Sequence, residues 1–123
     1  MIRPILVLAA LTFAQASTAQ SAADQRQLAQ ELAAEVEAYR VNLPVRDGVL
    51  TISRVDLRGL EIVYIGNVHA DFDAAQIARF RQEVRRGLCS QNTRDVIVRG
   101  GSFTYDLQDQ AGERFVTTVD TCG

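Results

Sequence analysis

Residues 60–89 read LEIVYIGNVHADFDAAQIARFRQEVRRGLC, and a change of rhythm within them decides the fold. Leu60, Ile62 and Tyr64 share one face of an alternating run, and Glu61, Val63 and Ile65 share the other, which predicts a strand over Leu60 to Val68. Apolar residues on both faces of its second half predict a place inside a sheet. From Asp73 the period lengthens. Asp73-Ala74-Ala75-Gln76 has the form of a capping box, and Ile77, Phe80, Val84 and Leu88 then recur at helical spacing. Arg79, Gln82, Glu83 and Arg86 fall on the opposite, wet side of that helix. A strand and an amphipathic helix in one short segment point to an α+β domain.

Towards the N-terminus, Val49 to Leu57 is rich in β-branched residues and predicts a second strand, joined to the first through a reversal at Arg58-Gly59. Asp47-Gly48 marks a turn before it. Leu28, Leu32, Val36 and Tyr39, with Ala29 and Ala33 beside them, predict a helix over Asp24 to Arg40. Asn42-Leu43-Pro44 stops that helix, because proline cannot continue its hydrogen-bond ladder.

Towards the C-terminus, residues 90–99 carry two signals. Val96-Ile97-Val98 favours a strand by propensity, whereas Ser90 and Gly100 as cap and terminator favour a helical turn, which is the reading adopted. Ser102 to Gln108 and Glu113 to Thr121 predict a hairpin across Asp109-Gln110-Ala111-Gly112. Cys122 has the parity of Val116, Thr118 and Asp120 rather than of Phe115, so the chain is expected to leave the sheet after Asp120. The order is αββαββ. Two helices packed on one face of a four-stranded antiparallel sheet accommodate both apolar stripes.

Residues 1–19 read as an export signal, with Arg3 at the positive end and a short apolar run from Ile5 to Phe13. Ser17-Thr18-Ala19 supplies the small residues a signal peptidase requires, so cleavage is expected after Ala19, with Ala16 as the second candidate. The run is too short to span a bilayer comfortably, although a retained anchor stays open as an alternative. No cysteine follows the cut, so a lipid-modified N-terminus is not indicated. Residues 20–123 then form a single domain, placed in the periplasm or the medium, with no stable membrane insertion after cleavage. This part holds 12 Arg, no Lys and 15 acidic residues. So weak a field excludes steering to nucleic acid or membranes.

Both cysteines, Cys89 and Cys122, lie in the exported part with 32 residues between them. An oxidising compartment favours joining them, against two free thiols or an intermolecular link. The role is structural, since a redox pair would come as Cys-x-x-Cys.

The residues Cys89, Arg94, Gly100, Tyr105, Asp109, Gly112 and Cys122 form a C…R…G…Y…D..G…C pattern. It resembles a pattern in a group of small, mostly uncharacterised secreted or periplasmic proteins of Gram-negative bacteria. Leu43-Pro44, Asp47, Thr51, Val55 and Tyr64 are similar to the start of the same group. Phe103 stands where that group suggests a second tyrosine, two residues before Tyr105. The resemblance implies an exported α+β scaffold with a Cys89–Cys122 bond, and it implies no activity.

Chemistry-bearing residues are few. His69, Asp71 and Asp73 would point the same way in an extended segment and make a conceivable metal set. The simpler reading has Asp71 and Asp73 serving the start of the second helix. Ser53, Ser90 or Ser102 with His69 as base would make a nucleophile, but none sits in a Gly-x-Ser-x-Gly elbow. Arg79, Arg85 and Arg86, with Arg81 nearby, form a possible interaction face or a solvated helix side. Arg99-Gly100-Gly101-Ser102 precedes a strand and reads as a turn, not a phosphate loop. Tyr39, Tyr64 and Tyr105 lie on apolar stripes as core aromatics with hydroxyls at the rim. The reading that follows is a disulfide-stapled binding protein partnered by another envelope or secreted protein, without a catalytic centre or cofactor. A small metal-dependent or hydrolytic enzyme using His69, Asp71 and Asp73, or an apolar-ligand carrier, are the alternatives.

Overall fold

The computed structural model describes residues 22–123; the expected signal segment, residues 1–19, lies outside them. Helix α1 covers 22–40 of these. It is followed by strands β1 (Val45–Asp47), β2 (Leu50–Arg58) and β3 (Glu61–Val68), and by helices α2 (Ala74–Cys89) and α3 (Thr93–Val98). Strands β4 (Ser102–Gln108) and β5 (Arg114–Val119) complete the domain.

The α+β class stands, but the sheet departs from the expected four antiparallel strands and two helices. It has five strands in the order β1-β2-β3-β4-β5 and is mixed. β3 and β4 run parallel, with Glu61 opposite Ser102 and Asn67 opposite Gln108. The cause lies in the crossover. α2 carries the chain back from the far end of β3, and α3 then delivers it beside the start of β3. A strand entering there must run parallel to its neighbour. The expected one-helix-per-hairpin arrangement gave no such return. The fifth strand, β1, is three residues long and pairs with Leu50, Thr51 and Ile52 of β2 around the Asp47-Gly48 turn. Its brevity, directly after the cis Leu43–Pro44 bond, left no alternating run to read.

α3 is the six-residue helix in the segment with mixed signals. Its end explains the glycine pair. Gly100, at φ 101°, donates to the Ile97 carbonyl, and Gly101 donates to that of Val96. These are the two bonds of a Schellman cap, and they satisfy carbonyls the helix would otherwise leave orphaned. The capping box of α2 is present: Gln76 N–H donates to Asp73 Oδ1 at 2.8 Å, and Asp73 N–H donates to Gln76 Oε1 at 2.9 Å. Ser90 closes the C-terminus of α2 rather than opening α3, which is led by Asn92.

The helices pack on one face of the sheet, whose register sets three cross-strand rows there. Leu57, Ile62, Phe103 and Val119 form the first, beneath Leu28, Leu32 and Val36 of α1. Ile52, Gly66, Leu107 and Phe115 form the third, where Phe72 stacks on Phe115 with centroids 5.6 Å apart and Phe80 meets it edge-on. Between them runs Val55, Tyr64, Tyr105 and Thr117, a middle row whose two tyrosines are only half-buried.

α2 is held differently from α1. None of its residues is fully buried. Its half-buried stripe of Ile77, Phe80, Val84 and Leu88 is supplemented by three tethers: the Cys89–Cys122 disulfide at its end, with Cα atoms 5.6 Å apart, Arg81 in its middle, and Asp109 at its start. Asp109 is a buried carboxylate that accepts from Phe72 N–H and from Glu113 N–H, tying the β4–β5 turn to the α2 entrance. Charged hydrogen bonds of this kind are among the stronger ones available to a small core.

Both sheet edges are occupied by guanidinium groups. Arg40 Nε donates to the Val55 carbonyl of β2 beyond the reach of β1, and Arg81 Nη2 donates to the Val116 carbonyl of β5. Such charged plugs discourage strand addition from outside. The sheet face away from the helices is largely polar around buried Val63 and Thr104, with Arg114 gripping Asp106 through two bonds of 2.7 and 2.6 Å. Those bonds hold the Asp106 carboxyl below its ordinary range.

Candidate functional site

A groove opens between α1 and α3 above the sheet. Its volume is about 460 Å³, within the range of sites that hold small molecules or inserted side chains. Leu32 and Val36 of α1, Val55, Ile62 and Phe103 of the sheet and Val96 of α3 give it an apolar interior. Tyr39 and Tyr64 stand at one end, and Glu31, Glu35, Asp95 and Arg99 line the mouth. Arg99 spans that mouth, with Nη1 2.6 Å from Glu31 of α1 and 3.3 Å from Asp95 of α3.

The tyrosines continue the groove into an aromatic row. Tyr39 meets Tyr64 edge-on at 5.3 Å, Tyr64 stacks on Tyr105 at 5.0 Å, and Tyr105 meets Phe80 edge-on at 6.0 Å. Burial pushes the Tyr64 hydroxyl well above the ordinary value near 10, and the neighbouring Tyr105, Tyr39 and Glu35 charges add to the shift. Tyr105 and Tyr39 move the same way, again chiefly by burial, with Asp47 contributing to both. The fold therefore favours the neutral phenols. Their contribution to stability is intact below pH 10 and is lost as pH rises through the higher folded values. Phenolate absorbance is expected to develop later than in a tyrosine peptide, with the melting temperature falling over the same alkaline range. Tyr64→Phe should flatten that fall while leaving the melt at neutral pH little changed.

Three solved structures share this architecture. The pilotin EpsS of the Vibrio vulnificus type 2 secretion system superposes with a TM-score of 0.68 at 15% identity, over 81% of this chain and 96% of that one. The type II secretion system pilotin AspS of Vibrio cholerae gives a TM-score of 0.66 at 20% identity, over 80% and 93%. A Pseudomonas aeruginosa protein described as secreted gives 0.66 at 15% identity, over 80% and 93%. No family model and no curated protein matches the sequence. At these identities the likeness is one of fold. It agrees with the broader expectation of small secreted proteins of Gram-negative bacteria. No helix among the described residues is long and apolar enough to cross a membrane.

Tyr39, Tyr64 and Arg99, noted from sequence, line the groove, whereas the metal, nucleophile and α2 arginine candidates lie elsewhere. His69 Nε2 is 2.9 Å from the Thr51 hydroxyl, and its backbone N–H donates to Val49 at the β2–β3 pairing end. Asp73 is committed to the helix cap, and Asp71 is exposed without a hydrogen-bond partner among the described residues. No three metal-ligating side chains converge among the described residues. Ser53 and Ser90 donate to backbone carbonyls of Ile65 and Gly87, Ser102 starts β4, and the hydroxyl paired with His69 is that of Thr51. Arg79, Arg85 and Arg86 are exposed. At 100° per residue Arg79 and Arg86 fall on one line of α2, while Arg85 falls with Arg81 on another. A pocket between helices and sheet is what the apolar-ligand alternative required, but the sequence alone did not assign its lining. Its residues read as ordinary core stripes, and its one sequence signal was the run of tyrosines with polar tips on apolar faces.

Proposed function

We propose that this is an exported protein of the Gram-negative envelope that acts by binding, and that the groove between α1 and α3 receives an apolar segment of another envelope protein. Cleavage after Ala19 delivers the domain to the periplasm or the medium. One observation carries the reading: an apolar groove with a charged mouth, bordered by half-buried aromatics, while His69 and Asp73 are engaged at a strand end and a helix cap. The shared fold of two type II secretion pilotins supports a role beside an envelope assembly.

The test places a benzophenone side chain at Val96, which lines the groove, or at Val116, on the open sheet face, in cells of the native host. Irradiation is expected to yield one discrete adduct with an envelope protein from position 96 and none from position 116. Equal adducts from both positions, or none from either, would overturn the reading. The volume is also of the size a small apolar ligand needs, and a retained mass in the native spectrum of purified protein would favour that carrier instead.

A further inference from the structure

Glu31, Glu35 and Tyr39 follow one another at four-residue spacing on α1, so they form one stripe along the groove wall. The first place on this stripe is filled from within the molecule: Arg99 sets its guanidinium on Glu31 at 2.6 Å. One turn further, Glu35 lines the same groove, is exposed, and has no ion-pair partner among the described residues. Next to it stand the rings of Tyr39 and Tyr64, backed by Tyr105 stacked on Tyr64. Aromatic faces attract cations, and a carboxylate beside them supplies a charged acceptor in the same place. Glu35 is also one of the charges acting on the Tyr64 hydroxyl, which sets it close to that ring.

We infer that Glu35, Tyr39 and Tyr64 form a receptor for an arginine side chain of the bound partner, one placed beside the apolar face that fills the groove. This inference rests on the groove being the partner site. Arginine fits better than lysine because a planar guanidinium stacks on a ring while its fork reaches a carboxylate. Arg99 on Glu31 shows another glutamate of the same α1 stripe taking that group one turn away.

The probe is a displayed library of short helical peptides, selected on the immobilised full chain and separately on its Glu35→Gln variant. Wild-type selections are expected to enrich apolar residues at helical spacing with arginine at one fixed neighbouring position. Selections on Glu35→Gln should keep the apolar spacing and lose the arginine. The best wild-type peptide should bind Glu35→Gln about tenfold more weakly, whereas its norleucine version should bind both proteins equally. Apolar peptides without a basic preference, or an arginine preference unchanged in Glu35→Gln, would overturn the arginine receptor and leave the groove reading standing. Failure to select any peptide that Val96→Arg abolishes would overturn both. Glu35 is exposed, so an unchanged melt of Glu35→Gln is expected to accompany these results.

Discussion

Gly66→Ala is expected to destabilise the fold severely. Gly66 sits opposite Ile52 in the third cross-strand row, where the pairing of β2 shifts register between Ile52 and Arg54. That irregularity presses the β2 backbone onto Gly66. A Cβ at this position would lie 1.9 Å from the Thr51 carbonyl oxygen and 3.0 Å from the Ile52 Cα. Both neighbours are backbone, so no side chain can swing aside. The sheet must open or the register slip, and a slip would turn the buried row outward. A cost of about 3 kcal/mol or more follows from overpacking against backbone, a large part of the ~5–15 kcal/mol that holds a domain together. Gly87→Ala is the control. Its added methyl meets nothing within 4 Å, and its place in α2 predicts a gain of about 0.5–1 kcal/mol. Urea unfolding of both variants checks the pair; a Gly66→Ala midpoint within error of wild type would contradict the close approach.

Reduction of Cys89–Cys122 is expected to lower the melting temperature by roughly 15–25 °C, from a loss of about 3–4 kcal/mol for a loop of this length. The loss has a specific location. α2 has no fully buried residue, so cutting the tether at Cys89 leaves its half-buried apolar stripe, Arg81 and the Asp109 bonds to hold it. Amide exchange under reductant should therefore quicken in α2 before it does in β3 or β4, whose residues fill the core. Cys89→Ala with Cys122→Ala should behave as the reduced protein does. An unaltered melt, or loss of protection spread evenly over the sheet, would show that the bond does not serve this purpose.

What could be read from the residues was local. The helix ends at Asp73 and Gly100 are written in side-chain chemistry that acts within a few positions, and the strand faces follow from alternation. The neighbours of a strand are not. Alternation places Tyr64 and Tyr105 on inward faces but says nothing of which strand lies beside which, so the parallel β3–β4 pairing and the stacking of the two rings had no local trace. The groove was hidden for the same reason. Leu32, Val36 and Phe103 look like any core residues until α1 and α3 are seen to stand apart above them. Gly66 was illegible because its conflict is with the backbone of Thr51 on another strand.

The chain contains three tyrosines and no tryptophan, and Tyr39, Tyr64 and Tyr105 are consecutive members of one ring contact series. All of its native phenol emission therefore originates within one small patch, and excitation hops between rings only about 5 Å apart. The unmodified protein carries its own optical gauge: intensity and polarisation should respond when something lodges against those rings, with no dye attached.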